Sequence, residues 1–230
     1  MNPFQFQHPF TAVCAGPTGS GKTELVKLIL MHAHEMVSPP PEQIHWYYSE
    51  TQPALFRSLS GMVSFREGKP DLTEYDGSKR TLLVLDDMMT ECDTKVSDIF
   101  VKGSHHRNIS IIFIVQNFFY KGGGDMRTIT LNAQYLILFK NPRDVQQIRV
   151  LARQMYDRNS KTMEEAYKHA TKEPFGYLLV DLKQSTPDHL RLRSKIVPGQ
   201  QLEIYTSKQF KDSVIVVGED GSTSNHGGRR

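Results

Sequence analysis

Seven apolar runs, each bounded by polar or turn residues, predict the strands of a sheet. They are "FTAVCA" (10–15), "QIHWYY" (43–48), "TLLVL" (81–85), "ISIIFIV" (109–115), "QYLILF" (134–139), "GYLLVDL" (176–182) and "HLRLRSKI" (189–196). Segments with helical periodicity alternate with them, namely "ELVKLILMHA", "RDVQQIRVLARQM" and "NSKTMEEAYKHA". This alternation is typical of an α/β fold, a mostly parallel sheet flanked by helices. We expect a single domain over residues 1–217 and a polar, glycine-rich, disordered tail over 218–230.

Composition narrows the class of protein. The chain has 230 residues, of which 38% are hydrophobic, enough to bury a sizeable core. The net charge of +3 permits a polyanionic partner but does not require one. Two cysteines, Cys14 and Cys92, are too few for a zinc site by themselves and indicate a reducing compartment. No apolar run approaches the ~18 residues of a membrane span, so we expect a soluble intracellular protein with no membrane partner.

The segment "GPTGSGKT" lies between the first predicted strand and the first predicted helix. It consists of Gly16, Pro17, Thr18, Gly19, Ser20, Gly21, Lys22 and Thr23, and it fits the phosphate-binding pattern G-x-x-x-x-G-K-[ST]. Glycines allow successive backbone N–H groups to surround a polyphosphate, and the helix N-terminus adds its positive dipole end. Lys22 is expected to contact the β- and γ-phosphates, and Thr23 to place its hydroxyl on Mg²⁺. An ordinary glycine-rich turn leaves the Gly-Lys-Thr sequence unexplained.

Two adjacent carboxylates end the apolar segment "TLLVLDDMM". Ligands of open α/β sheets bind at the carboxyl ends of parallel strands, so Asp86 and Asp87 are expected at the site. Asp86 suits a group that organises Mg²⁺, and Asp87 suits one that orients and polarises the attacking water. The alternative is that the pair caps the following helix.

The segment "HHRNISIIFIVQN" ends in Gln116 and begins near Arg107. An amide at this strand end is placed to sense the γ-phosphate or the attacking water. Arg107 lies at the other end of the strand, too far away for its own site, so we interpret it as a group for a neighbouring subunit's γ-phosphate. The alternatives are an exposed arginine flanking a strand, or Arg127 or Arg143 in the same trans role.

Two segments are candidates for weak DNA contacts. In "FFYKGGGDMR", Lys121 lies on a glycine-rich loop that suits contact with a backbone phosphate. In "HLRLRSKI", alternation places Arg191, Arg193 and Lys195 on one strand face as a basic stripe. The alternatives are a surface loop with packed aromatic residues and a solvated strand face.

Three of these segments, "GPTGSGKT", "LLVLDDMM" and "HHRNISIIFIVQN", resemble those of the FtsK–HerA superfamily of P-loop motors in order and spacing. "IHWYYSE", "IVQNFFYKGGGDMRTITLNAQYLILFKNPRD" and "EPFGYLLVDL" are similar to segments of the packaging ATPases of Polinton/Maverick elements and adintoviruses, relatives of the poxvirus packaging ATPase. The resemblance covers most of residues 10–195.

The resemblance implies a RecA-like (ASCE) sheet in which the glutamine strand separates the phosphate-loop strand from the acidic strand. It assigns Lys22 and Thr23 to Walker A, Asp86 and Asp87 to Walker B, Gln116 as sensor and Arg107 as arginine finger. It further implies ATP and Mg²⁺ as cofactors and a homo-oligomeric ring, a pentamer or hexamer, that translocates double-stranded DNA into a capsid. Capsid proteins would be further partners. The host cytoplasm or nucleus, at sites of virion assembly, or the virion itself, would be the location.

One position departs from the superfamily. Glutamate is usual where this chain has Asp87, whose side chain is one methylene shorter. Three other functions share the phosphate loop: a nucleotide-gated binding or assembly module with slow hydrolysis, a small-molecule or nucleoside kinase, and a helicase of another P-loop class. The kinase lacks support because no arginine-rich lid is evident between the acidic strand and "ISIIFIV".

Overall fold

Buried apolar strands form the centre of the fold. The structure, a computed structural model, describes residues 4–88, 100, 107–117, 126–143, 145–156, 160–206, 214–217 and 223–226. The strands are β1 (Phe6–Gln7), β2 (Thr11–Ala15), β3 (Val37–Ser38), β4 (Gln43–Tyr48), β5 (Ser64–Glu67), β6 (Thr81–Asp86), β7 (Ile109–Val115), β8 (Tyr135–Phe139), β9 (Tyr177–Asp181), β10 (Leu192–Ser194), β11 (Leu202–Tyr205), β12 (Val214–Val217) and β13 (Thr223–His226). The helices are α1 (Lys22–Met31), α2 (Ala33–Met36), α3 (Pro53–Ser58), α4 (Met126–Asn132), α5 (Gln146–Tyr156) and α6 (Ser160–Ala170).

The main sheet has the strand order β13-β12-β11-β10-β9-β8-β2-β7-β6-β4-β5. The six strands from β8 to β5 are mutually parallel. From β8 to β13 each neighbouring pair is antiparallel. The predicted α/β fold, a largely parallel sheet flanked by helices, is confirmed, and the antiparallel strands extend it on one side. As the resemblance implied, β7, the glutamine strand, lies between β2 and β6.

Helices cover both faces of this sheet because the central strands are apolar on both sides. On β6, Leu83 and Leu85 pack in the same cluster as the apolar residues of α4, α5 and α6. Leu82 and Val84 point to the opposite face and pack in the cluster that contains the buried side of α1. Each fully buried side chain of this size contributes about 1.5–3 kcal/mol relative to an exposed one.

The register places the carboxyl ends of β2, β7 and β6 at one edge of the sheet. Ala15 pairs with Val115, and Asp86 pairs with Ile114. Because these strands are parallel, the residues that follow them leave the sheet at the same level. The phosphate loop, the second aspartate and the glutamine are therefore brought together by the sheet itself.

The predicted basic stripe is wrong. Within "HLRLRSKI" only Leu192–Ser194 forms a strand, and Arg193 is buried, with 7% of its surface exposed. Its guanidinium pairs with the buried carboxylate of Asp181 at 3.3 Å and lies 4.9 Å from the centre of the Phe4 ring. Arg191 donates to the Asp188 carboxylate and to two backbone carbonyls. Alternation wrongly predicted an exposed side chain at Arg193. The side chain is buried because it pairs with the buried carboxylate of Asp181 on the adjacent strand β9.

Replacing Arg193 with alanine is expected to lower the free energy of unfolding by about 3–5 kcal/mol, because it leaves the Asp181 carboxylate buried without its partner. Urea unfolding measures the difference. The matched control is Arg149→Ala, which removes an exposed arginine paired with Glu164 at 3.6 Å and should cost less than about 1 kcal/mol. Equal losses for the two variants would contradict a structural role for the buried pair.

A short strand lies inside the range that was expected to form the polar tail. Thr223–His226, inside the range 218–230, forms β13 and pairs antiparallel with β12. Composition did not indicate this strand because its pairing depends on a backbone ladder and not on apolar side chains. Among the described residues no helix is long and apolar enough to cross a membrane.

Candidate functional site

The phosphate loop is anchored to the end of the sheet. The loop follows β2 in the chain. The backbone N–H of Gly16 also donates to the carbonyl of Val115 at 3.2 Å, which ties the start of the loop to the end of β7. A Cβ at Gly16 would lie 2.6 Å from Cβ of Phe139, too close for any other residue. Gly21 has a φ of 100°, and α1 begins directly after it. Glycine at these two positions therefore allows the loop to pack closely on the sheet. It also keeps side chains from obstructing the backbone N–H groups.

Lys22 is turned back onto its own loop. Its Nζ donates to the carbonyls of Gly16 at 2.7 Å and Pro17 at 3.0 Å, and only 9% of the residue is exposed. Burial lowers the pKa of this ammonium, and the negative charges of Asp87 and Asp86 oppose that effect. An anion held in the loop would replace these carbonyls as the partner of Nζ.

The two aspartates at the end of β6 occupy different environments. Asp86 is 6% exposed and accepts a hydrogen bond from Nε2 of Gln52 at 3.0 Å. Burial raises the pKa of this carboxyl, and the bond from Gln52 works against the rise. Asp87 is exposed and has a φ of 53°. Because aspartate adopts this left-handed conformation more readily than most residues, the chain can turn here and project the second carboxylate outward.

Gln116 contacts Asp87 directly. Its Nε2 donates to Oδ2 of Asp87 at 2.7 Å. The backbone N–H of Asp87 also donates to the carbonyl of Ile114 at 3.2 Å, which holds the turn against β7. The amide and carboxylate that sequence reasoning assigned to one site are thus in contact.

One cleft collects most of the predicted residues. It has a volume of about 620 Å³ and is lined by Thr18, Gly19, Lys22, Thr23, Tyr48, Ser49, Glu50, Gln52, Asp86, Asp87, Ile114, Val115, Gln116 and Asn117. Gly16, Pro17, Ser20 and Gly21 complete the loop beside it. The cleft combines a phosphate-type loop, an ammonium, two carboxylates and an amide, which is the set that phosphoryl transfer to water requires.

Sequence reasoning missed Gln52 and Glu50. Both follow β4, the strand that pairs with β6, and both line the cleft. The signal was present, since they are polar residues after an apolar strand, but nothing in the sequence places β4 beside β6. Gln52 positions the Asp86 carboxylate, as the hydrogen bond between them shows.

Arg107 is not at this cleft. It precedes β7, at the opposite end of that strand from Gln116, as expected. Its guanidinium donates to the carbonyls of Leu72 and Tyr75, the latter at 2.8 Å. These bonds favour the interpretation of Arg107 as an anchor for a loop of its own chain. Arg143 is exposed, whereas Lys121 and the side chain of Arg127 lie outside the described residues.

The donor set fits Mg²⁺ bound together with a nucleotide. Within the described ranges, no group of three or more His, Cys, Asp or Glu residues could hold a metal ion. Mg²⁺ in nucleotide sites needs only one or two protein oxygens, with phosphates and waters completing its octahedron. The Thr23 hydroxyl and the Asp86 carboxylate both line the cleft and supply such oxygens.

Replacing Asp86 with asparagine is expected to raise the melting temperature of the protein without nucleotide. It should also abolish any Mg²⁺-dependent phosphoryl transfer at the cleft. Asparagine keeps an oxygen for Gln52 but carries no buried charge. The pKa of Asp86 is raised, so the wild type is destabilised as pH rises through that pKa, whereas the variant is not. Melting temperatures of both proteins measured against pH should diverge towards high pH. A constant difference, or the same divergence in the exposed control Glu173→Gln, would count against the buried charge as the cause.

Comparison with solved structures finds similarity to EccC of Thermomonospora curvata, ATPases 2 and 3, in complex with a signal sequence peptide. The chains are 15% identical and superimpose with a TM-score of 0.41, over 59% of this chain and 31% of that chain. No protein-family model matches the sequence, and no curated protein matches it. A similarity this low carries no argument about function.

Proposed function

We propose that this chain is a P-loop ATPase that hydrolyses ATP with Mg²⁺. The observation that carries the proposal is that Lys22, Thr23, Asp86, Asp87 and Gln116 line one cleft at the carboxyl edge of the parallel strands. A buried acid, an exposed acid and an amide beside a phosphate loop are groups suited to holding Mg²⁺ and orienting water in phosphoryl transfer.

The residues divide the work of the reaction. The loop N–H groups and Lys22 bind the phosphates and stabilise charge that develops on the γ-phosphoryl group. Thr23 and Asp86 would hold Mg²⁺, which supplies charge neutralisation between the β- and γ-phosphates when bound. Asp87 accepts a hydrogen bond from the attacking water and orients it, and Gln116 holds the Asp87 carboxylate in place at 2.7 Å. Asp86 does not take the proton, because its carboxylate would hold Mg²⁺ and is engaged by Gln52.

The finer proposal is a DNA-packaging motor. We propose a homo-oligomeric ring that translocates double-stranded DNA into a capsid, with capsid proteins as partners, in the host cytoplasm or nucleus or associated with the virion. Its support is the resemblance of the three motifs and their flanking segments to packaging ATPases of the FtsK–HerA superfamily. A ring would place an arginine of one subunit at the γ-phosphate of the next, and the candidates are Arg107, Arg127 and Arg143. The internal bonds of Arg107 make the exposed Arg143 the more accessible of the two described side chains.

Steady-state ATP hydrolysis against protein concentration, with and without long double-stranded DNA, tests the proposal. A rate per subunit that rises with concentration, and again with DNA, would support a ring with shared sites. A measurable rate that responds to neither would leave the ATPase in place and remove the motor. Undetectable hydrolysis with intact nucleotide binding would refute the hydrolase.

One observation favours a second candidate, the nucleotide-gated assembly module. Asp87 is bonded to Gln116, and Lys22 is bonded to the carbonyls of its own loop. Each group that would act on the γ-phosphate thus has an internal partner. A protein of this kind would hydrolyse ATP slowly until a partner or neighbouring subunit released these contacts. The same hydrolysis experiment distinguishes it, since the module predicts a low rate that DNA does not change.

A further inference from the structure

Phe175 is an exposed aromatic residue in contact with the phosphate loop. It is 69% exposed, although exposed phenylalanine gives up favourable burial. Its backbone has a φ of 62°, a left-handed conformation that is unusual for a bulky residue. A Cβ at Gly21 would lie 3.1 Å from Cδ1 of Phe175, so the ring sits directly beside the residue that precedes α1.

The loop that carries Phe175 is held at both ends. It connects α6 to β9, and the N–H of Gly176 donates to the carbonyl of Glu173 at 3.1 Å. The N–H of Thr171 donates to the carbonyl of Tyr167 at 3.0 Å, which joins the start of the loop to the last turn of α6. The ring is therefore presented by a short, hydrogen-bonded turn between two packed elements.

Phe175 lines a second cleft of about 420 Å³ that borders the first one. The two share Gly19, Lys22, Thr23 and Gln52. The acids and Gln116 line the first cleft, and Phe175 lines the second, so the phosphate loop separates a reactive end from an aromatic end. A nucleoside triphosphate has the same two ends, with the γ-phosphate at one and the base at the other.

We propose that Phe175 is the platform on which the nucleobase stacks, and that it selects purines over pyrimidines by the area of the stacked ring. This inference rests on the proposed nucleotide site. Stacking does not read the hydrogen-bonding edge of a base, so its strength differs between bases only through the ring that is stacked. The charged residues that line the second cleft but not the first, Glu24 and Lys27, are paired with each other at 2.6 Å, which leaves them less suited to reading a base edge. Adenine and guanine should therefore be bound with similar affinity.

The test compares nucleotides with a probe that has phosphates and no base. Dissociation constants of Mg-ADP, Mg-GDP, Mg-CDP and Mg-tripolyphosphate are measured by calorimetry for the wild type and for Phe175→Ala. The variant should lose about ten-fold in affinity for the two purine nucleotides, less for CDP, and nothing for tripolyphosphate. Phe175→Tyr should restore purine binding. The matched control is Leu131→Ala, which removes an apolar side chain that is 73% exposed and lines neither cleft.

Phe175→Trp provides a direct readout. The chain has one tryptophan, Trp46, which is fully buried, so the new indole supplies an exposed signal. Mg-ADP should quench its fluorescence, and tripolyphosphate should not.

Three results would overturn the platform: an unchanged affinity of Phe175→Ala for Mg-ADP, an equal loss for tripolyphosphate, or a wild type that binds CDP as tightly as ADP. A wild type that binds neither Mg-ADP nor tripolyphosphate would refute the nucleotide site itself, and the platform with it.

Discussion

Alanine in place of Lys22 will reduce ATP turnover by at least about 10²–10³-fold, the cost of removing one preorganised donor from the developing charge. This loss of turnover should be larger than for any other single residue of the loop. Among the described residues that line the cleft, Lys22 has the only cationic side chain. Phosphate release under saturating Mg-ATP measures turnover, and calorimetry with Mg-ADP measures binding. The fold should survive, since the alanine removes two hydrogen bonds to loop carbonyls and leaves the apolar side chains of the core in place.

The matched control for Lys22→Ala is Lys168→Ala, which removes an exposed lysine from α6. It should leave turnover unchanged. Retention of more than a tenth of wild-type turnover in Lys22→Ala would contradict the site.

The same variant also tests whether neighbouring subunits share sites. If a subunit lacking Lys22 still supplies its arginine to a neighbour, mixing it with Arg143→Ala will restore part of the activity, and mixing with Arg107→Ala will do so only if Arg107 is the trans group.

Asparagine in place of Asp87 will separate binding from hydrolysis. It keeps an oxygen for the Gln116 amide, whose bond to Asp87 is 2.7 Å long, and it removes only the charge. The exposed position of Asp87 makes a large effect on folding unexpected. Because the variant cannot polarise the attacking water, kcat should fall by about 10²–10⁴-fold while Mg-ATP binding is retained. Single-turnover hydrolysis and equilibrium binding measure the two quantities.

The natural comparison for this variant is Asp87→Glu, which introduces the residue usual in the FtsK–HerA superfamily, whose motifs those of this chain resemble. It should remain active, since the longer side chain still carries a carboxylate at the same strand end. Normal turnover in Asp87→Asn would remove Asp87 from the reaction and direct attention to Glu50, the other carboxylate that lines the cleft from the end of β4.

Local patterns were sufficient for the central strands. β4 and β7 have the predicted bounds, because each is a mostly apolar run bounded by residues that do not continue a strand. The phosphate loop, Asp87 and Gln116 were also placed correctly relative to one another. Each follows the end of a parallel strand, and parallel strands bring their carboxyl ends to one edge whatever the details of the connections.

Long-range partners explain what the sequence left out. Arg193 was assigned to a basic stripe for DNA contact because alternation is a local rule, whereas its burial depends on Asp181 on the adjacent strand. Gln52 gains its role from the pairing of β4 with β6, and Phe175 from the contact of its turn with Gly21. Arg107 was identified as a candidate from its charge, but the carbonyls that it bonds belong to residues more than thirty positions earlier.

The central position of β2 has a consequence for biosynthesis. Its hydrogen-bonding neighbours, β7 and β8, are both encoded far downstream. A ribosome that has just completed the phosphate loop has produced neither the strand that accepts the N–H of Gly16 nor Phe139, against which that glycine packs. Synthesis adds about 5–20 residues per second. For on the order of ten seconds, therefore, the nascent chain contains a phosphate loop that has not yet packed against its partners in the sheet. A nucleotide bound at this loop would therefore stabilise the protein only after the sheet has closed around β2.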